Sequence, residues 1–164
     1  MQKPLTNHAY IDGANLHNAM SDLGWRLDYQ RLHILLKEKY GVKQAYLFIG
    51  LIPKYKGLYA YLQECGFILV FKEVTYDGTG KPKGNCDADL VLYAMRDAYE
   101  KKMERAVLVS SDGDYAELVK FLCDRGQFAT ILSPSKKEKC SLLLKRTNAP
   151  IAYIADKRTV LELK

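Results

Sequence analysis

The alternation of short apolar runs with helix-period segments constrains this chain more than any other feature of its sequence. Runs at 8–11 (HAYI), 44–51 (QAYLFIGL), 67–74 (FILVFKEV), 105–110 (RAVLVS) and 127–133 (QFATILS) read as strands. Between them, LDYQRLHILLKEKY (27–40) places Leu32, Leu35 and Leu36 on one helical face and ends at Gly41. KGLYAYLQECG (56–66) predicts a shorter helix stopped by Gly66, and DGTGKPKG (77–84) a loop. CDADLVLYAMRDAYEKK (86–102) predicts a helix with Leu90, Val91, Ala94, Met95 and Ala98 on its apolar face. DYAELVKFLCDRG (114–126) predicts another that stops at Gly126, and the tail KEKCSLLLKR then APIAYI adds a helix and a sixth strand.

Strand–helix alternation with near-continuous apolar strands means a mainly parallel sheet covered on both faces. The expected fold is therefore a three-layer α/β/α sandwich of five to six strands, in one domain, since 164 residues suffice for a single sizeable core. In such sheets ligands bind at the carboxyl ends of the strands, near the switch in strand order. That rule directs attention to the residues just past the end of each strand.

Asp12 closes the first strand in IDGAN, and Asp112 and Asp114 come directly after the fourth in SSDGD. Strands one and four are commonly neighbours across the switch point, which would bring these residues together. Asp87 lies three and four residues before Leu90 and Val91, so it shares their sheet-facing side, whereas Asp89 points elsewhere. Asp114 stands four before the core-facing Leu118 and is a reasonable site member. Each carboxylate alone has a simpler reading, because Asp and Asn are favoured at helix N-caps and turns, Asp12 and Asn15 included. Converging carboxylates are different: they repel one another unless a cation compensates. Hard divalent ions such as Mg²⁺ take oxygen ligands of this kind, with water and substrate phosphate. Gly13 and Gly113 each come after a site aspartate, where a missing side chain allows a tight turn or close approach. Ser110 and Ser111 could orient carboxylates or donate to a phosphate, or simply punctuate the strand end.

YIDGANL, KPKGNCDADLVLYA and AVLVSSDGDYAELVKFLCDRG, in this order and spacing, resemble the NYN domain family of the LabA-like type, over roughly residues 8 to 155. That family belongs to the PIN-like nucleases, which carry an acidic Mg²⁺ or Mn²⁺ site on a Rossmann-like sheet and cut RNA. Matched motif by motif, the resemblance makes Asp12 the first acidic ligand, Asp87 the second, and Asp112 with Asp114 the third group. Asn15 fits the polar position that supports the first. Ser111 stands where many relatives have Gly, and an extra Asn-Cys pair separates Gly84 from Asp87; neither removes a carboxylate.

The implied activity is metal-dependent hydrolysis of RNA phosphodiester bonds, with Asp12, Asp87 and Asp112 holding Mg²⁺ or Mn²⁺ and Asp114 completing or orienting the shell. Products would carry 5′-phosphate and 3′-hydroxyl ends. The implied partner is RNA, single-stranded, and homodimerisation is expected only by analogy with the many PIN-like proteins that dimerise. Lys81 and Lys83 could bind flanking phosphates, and Tyr55, Tyr59 and Tyr61 could stack unpaired bases; solvated loop lysines and core tyrosines are the plainer readings.

Two other classes stay open at this point. A non-catalytic RNA-binding or adaptor module on the same fold would bind RNA in a salt-dependent way without cutting it. A small-molecule phosphohydrolase could use a similar acidic site, although Ala14 stands where haloacid dehalogenase-like phosphatases need a second aspartate. A P-loop is excluded, since Thr75 replaces the first glycine of that motif and Pro82 its Ser/Thr, and no G-x-G-x-x-G comes after the first strand.

Composition adds boundaries rather than chemistry. The chain has a net charge of +6, with lysines grouped at Lys54/Lys56, Lys81/Lys83, Lys101/Lys102 and Lys136/Lys137/Lys139, either a solvated surface or a polyanion-friendly one. The four cysteines are scattered without a C-x-x-C pair, which fits reduced thiols in the cytosol better than zinc or disulfides. There is no apolar run long enough to span a membrane, and the first residues lack a signal-peptide core, so a cytoplasmic location without membrane association is expected. His8, His17 and His33 form no cluster in the sequence.

Overall fold

Strand β1 (Asn7–Asp12) is buried at every position and carries the centre of the sheet. The computed structural model describes residues 6–83 and 85–164. After β1 come α1 (Gly13–Leu23), α2 (Tyr29–Tyr40), β2 (Val42–Leu51), α3 (Lys56–Glu64) and β3 (Ile68–Glu73). A small ribbon, β4 (Thr75–Tyr76) with β5 (Pro82–Lys83), leads to α4 (Asp87–Tyr99) and β6 (Ala106–Val109). The chain ends with α5 (Ala116–Asp124), β7 (Phe128–Ser133), α6 (Leu142–Lys145), β8 (Ile151–Tyr153) and α7 (Arg158–Leu161).

The main sheet has six strands in the order β3-β2-β1-β6-β7-β8. All pairs within it are parallel, with Ile11 opposite Leu47 on one side and Val109 on the other. The chain therefore winds outward from β1 to β3, then crosses back to β6 and winds the other way. The strand order reverses between β1 and β6, which opens the crevice where such folds bind ligands.

Period-2 alternation sends each strand's side chains to two cores. Ala9, Ile11, Val107 and Val109 pack with Leu16, Leu32, Leu36, Leu62 and Leu161 beneath α1, α2, α3 and α7. Tyr10, Ala106 and Leu108 pack with Leu90, Ala94, Val119, Leu122 and Leu144 beneath α4, α5 and α6. This is the expected three-layer sandwich. Among the described residues, no helix is long and apolar enough to cross a membrane.

Three segments differ from the sequence expectation. Residues 13–23, where Asp12 and Asn15 suggest a turn, form helix α1. Gly, Asn, His and Asp are poor helix formers, but the ends are well capped: the Asp12 side chain accepts from the Asn15 N–H, and Gly24 closes the helix in the left-handed region. Leu16, Ala19 and Met20 then give it a buried face; burying a leucine alone is worth about 1.5–3 kcal/mol. The loop at 77–84 contains β5 of the antiparallel ribbon, with Thr75 opposite Lys83. Asp77 Oδ1 holds the turn by accepting from Thr79 N–H, Thr79 Oγ1–H and Lys81 N–H. Gly84 of that loop lies outside the described residues. Helix α7 and the 3-10 turn before it (Ile154–Lys157) have no counterpart in the sequence expectation; the tail folds back so that Leu27 bridges Glu162 at the start of α2.

Candidate metal centre

Asp12, Asp87 and Asp112 meet at the carboxyl ends of β1 and β6, each presenting one oxygen within 4.8 Å of the others. Local structure explains how each arrives. Asp12 is the last residue of β1, 6% exposed, and its Oδ1 accepts from the Asn15 N–H at 3.1 Å as it caps α1. Asp87 opens α4, and its own N–H donates to Asn85 Oδ1 at 2.7 Å. Asp112 caps the 3-10 turn Gly113–Tyr115, and its N–H donates to Ser110 Oγ at 3.1 Å.

Tyr115 ties two of them together. Its hydroxyl, on a side chain with no exposed surface, lies 2.9 Å from Asp12 Oδ2 and 2.7 Å from Asp87 Oδ1. Sequence reasoning missed this residue, although the spacing that turns Asp87 inward applies to it equally. Tyr115 lies three and four residues before Leu118 and Val119, both buried.

Electrostatics mark the cluster as under-compensated. Burial pushes the Asp12 carboxyl up from its ordinary range, and the neighbouring charges of Asp87 and Asp112 push the same way. The hydrogen bonds from Asn15 and Tyr115 pull it back only in part. The Tyr115 phenol is held far above its usual range by burial and by the Asp12 and Asp87 charges, so it is a proton donor here. Cys86 is pushed up to about 11, mainly by burial, and at neutral pH is a thiol rather than a thiolate ligand. Three hard oxygens, one of them buried and destabilised as an anion, suit an oxygen-seeking divalent cation such as Mg²⁺ or Mn²⁺.

The other expected site residues take different places. Asn15 Oδ1 accepts from both Ser111 N–H at 3.0 Å and Ser111 Oγ at 3.2 Å, pinning α1 to the turn after β6. Ser110 is fully buried, so its hydroxyl braces the Asp112 backbone instead of meeting substrate, and Ser111 braces Asn15. Asp114 stands outside the trio with an exposed side chain; what it supplies is a backbone N–H to Asp112 Oδ1 at 2.9 Å. Its N–H is capped by Asp112 and helps orient that carboxylate, while the 3-10 turn carries the Asp114 side chain away and buries Tyr115. Asp89 points elsewhere, as its spacing predicts, and pairs with Lys72 at 3.4 Å. Lys81 is exposed in the ribbon turn, and the side chain of Lys83 lies outside what the structure describes. Tyr59 is a core residue bonded to Gly50 O and Ile52 N, whereas Tyr55 and Tyr61 are exposed. His17 is exposed on α1.

The comparisons with known proteins agree with this architecture. The sequence model of the NYN domain matches residues 9–149. A crystal structure of a protein of unknown function from Vibrio parahaemolyticus superposes with a TM-score of 0.79 at 22% identity, covering 98% of this chain and 99% of that one. That likeness speaks for the fold alone. Among curated proteins, none matches the chain.

Proposed function

The chain belongs to the NYN domain family, and from that premise we propose that it is a divalent-metal-dependent ribonuclease that hydrolyses phosphodiester bonds in single-stranded RNA. The observation that carries the reading is the convergence of Asp12, Asp87 and Asp112, from three distant stretches of chain, at the point where the strand order reverses. A structural role alone gives no reason to gather three carboxylates where their mutual repulsion costs stability.

Asp12, Asp87 and Asp112 would hold the ion, Mg²⁺ or Mn²⁺. When bound, such an ion offsets phosphate charge and lowers the pKa of its water. The remaining work falls to the chain. The Asn15 N–H and the Tyr115 hydroxyl fix both oxygens of Asp12, the Ser110 hydroxyl and the Asp114 N–H fix Asp112, and Asn15 locks the two walls together. Ligands held this way need little reorganisation when substrate arrives. The exposed Lys81, with Lys83 beside it in the ribbon, is the candidate contact to flanking phosphates.

The test is an RNA cleavage assay with Mg²⁺ or Mn²⁺, comparing wild type with Asp12→Asn. Metal-dependent cleavage by wild type and its loss in the variant are expected; equal cleavage by both would remove Asp12 from the mechanism. Salt-dependent RNA binding with no cleavage under any metal would identify a binding module on the same fold.

A further inference from the structure

The chain between β7 and α6 carries the densest group of lysines in the protein, and it is anchored on the candidate metal centre. The Ser141 N–H donates to Ser111 O at 3.2 Å, one residue from Asp112. On the other side of Asp112, Gly113 packs so closely on this segment that a Cβ there would lie 2.3 Å from Ser141 Oγ and 3.1 Å from Leu143 Cδ1. Cys140 and Leu144 are buried and hold the segment down from both sides.

The lysines sit on a compact turn. Both Lys139 N–H and Cys140 N–H donate to Lys136 O, at 2.9 and 3.0 Å, so Lys136, Lys137 and Lys139 are gathered over one 3-10 turn. Two peptide units separate Lys139 from Ser141, which limits their Cα separation to about 7.6 Å. All three side chains are exposed, as is Glu138 between them. Among the described residues none of the three lysines has an acidic partner, whereas Lys72, Lys102, Lys120 and Arg158 each do. Ammonium groups without an acidic partner among the described residues, on a hydrogen-bonded turn beside a carboxylate cluster, are arranged for a polyanion that reaches across both. Immediately beyond, Leu142 and Leu143 are 57% and 53% exposed, an apolar step on the same rim.

We propose that residues 136–143 form the wall that holds the RNA strand next to the metal centre. Lys136, Lys137 and Lys139 take consecutive phosphates, and Leu142 and Leu143 lie under a base without reading its edge. The inference rests on the ribonuclease reading and adds to it where the strand runs: past β7, on the side of Asp112 away from β2 and the lysines of the β4–β5 ribbon.

The experiment measures binding of a fluorescein-labelled oligouridine to the whole chain in EDTA, as a function of salt. The triple variant Lys136→Ala/Lys137→Ala/Lys139→Ala is compared with wild type. A charge-matched control, Lys37→Ala/Lys39→Ala/Lys43→Ala, removes lysines where α2 turns into the amino end of β2. Each lysine on a phosphate contributes about 0.7 to the slope of log affinity against log salt. The turn variant should therefore lose about 2 from the wild-type slope and at least about ten-fold in low-salt affinity, while the control keeps the wild-type slope. Wild-type slope and affinity in the turn variant, or equal losses in the control, would overturn the wall and leave the ribonuclease reading intact. No binding or cleavage of RNA by wild type would overturn that reading, and the wall with it.

Discussion

The phenolic oxygen of Tyr115 stands 2.9 Å from Oδ2 of Asp12 and shares a single proton between that carboxylate and Asp87, 2.7 Å away on its other side. It fixes the spacing of two groups that are 75 positions apart in the chain (12 and 87) before any cation is present. Tyr115→Phe removes the hydroxyl and keeps the ring in the core. The expected result is a folded protein whose Mn²⁺ affinity, measured by titration calorimetry, falls by about 10–100-fold, the usual cost of losing a group that orients a metal ligand. Unchanged Mn²⁺ affinity in a folded variant would reduce the tyrosine to core filling.

Asp12→Asn separates stability from function. Asparagine caps helices as well as aspartate does, so the bond from the Asn15 N–H to Oδ1 survives, while the amide NH2 that replaces Oδ2 donates to the Tyr115 oxygen and leaves the phenol proton to Asp87. What disappears is a buried charge that its surroundings disfavour. In EDTA the variant should melt at or above the wild-type temperature. Wild type should gain from Mn²⁺, by about 2.7 kcal/mol at a hundred times its dissociation constant, and the variant should gain nothing. Thermal melts with and without Mn²⁺ decide it: a persisting metal-induced rise would take Asp12 out of the ligand set.

Gly13→Ala tests the seam between β1 and β2. Replacing glycine in a helix by alanine ordinarily stabilises by up to about 1 kcal/mol. Here the new Cβ would lie 2.6 Å from the backbone oxygen of Phe48, which cannot rotate away. The sign should reverse, to a loss of about 1–3 kcal/mol in urea unfolding. A gain in stability would mean that α1 shifts freely, at odds with its role in holding Asp12.

The strands and the inward turn of Asp87 are legible in the sequence because period 2 and the i+3/i+4 relation are local, and the apolar residues that reveal them are unambiguous. Helix α1 is hidden because its stability comes from its ends, Asp12 and Gly24, and from three buried side chains, while its middle has the composition of a turn. Asp114 resembles a site member in sequence because it precedes Leu118 by four. Tyr115 satisfies the same relation to Leu118 and Val119, and the 3-10 geometry of Gly113–Tyr115 decides between the two: Tyr115 turns inward and Asp114 does not. The role of Ser111 depends on a contact made once the chain has folded, with Asn15 nearly a hundred positions away, so no local pattern could assign it. Ser110 makes a local turn contact, its hydroxyl accepting from the Asp112 N–H two residues on, and only its complete burial is hidden from the sequence.

At the other end of the sheet, a buried network gives a pH dependence whose sign can be worked out. His8 Nδ1 lies 3.2 Å from Asp97 Oδ2, and the Tyr10 hydroxyl donates to the same oxygen at 2.7 Å. Burial pushes the His8 pKa below 6.5, outweighing the pull of Asp97 in the opposite direction, with Lys43 adding to the lowering. Below pH 6.5 the unfolded chain therefore binds a proton at His8 that the folded chain does not. Stability from this group is full above that pH and is lost as pH falls toward the folded value, by at most about 1.4 kcal/mol per pH unit. Asp12, with its raised pKa, acts in the opposite sense, and His33, also lowered by burial, in the same sense. The difference between wild type and His8→Asn, taken at each pH, removes both contributions, and asparagine keeps a donor toward Asp97. Urea unfolding from pH 7.5 to 5 should show wild type losing stability faster than the variant below pH 6.5. A difference that stays constant, or widens in favour of wild type as pH falls, would show that the folded protein accommodates a charged His8 after all.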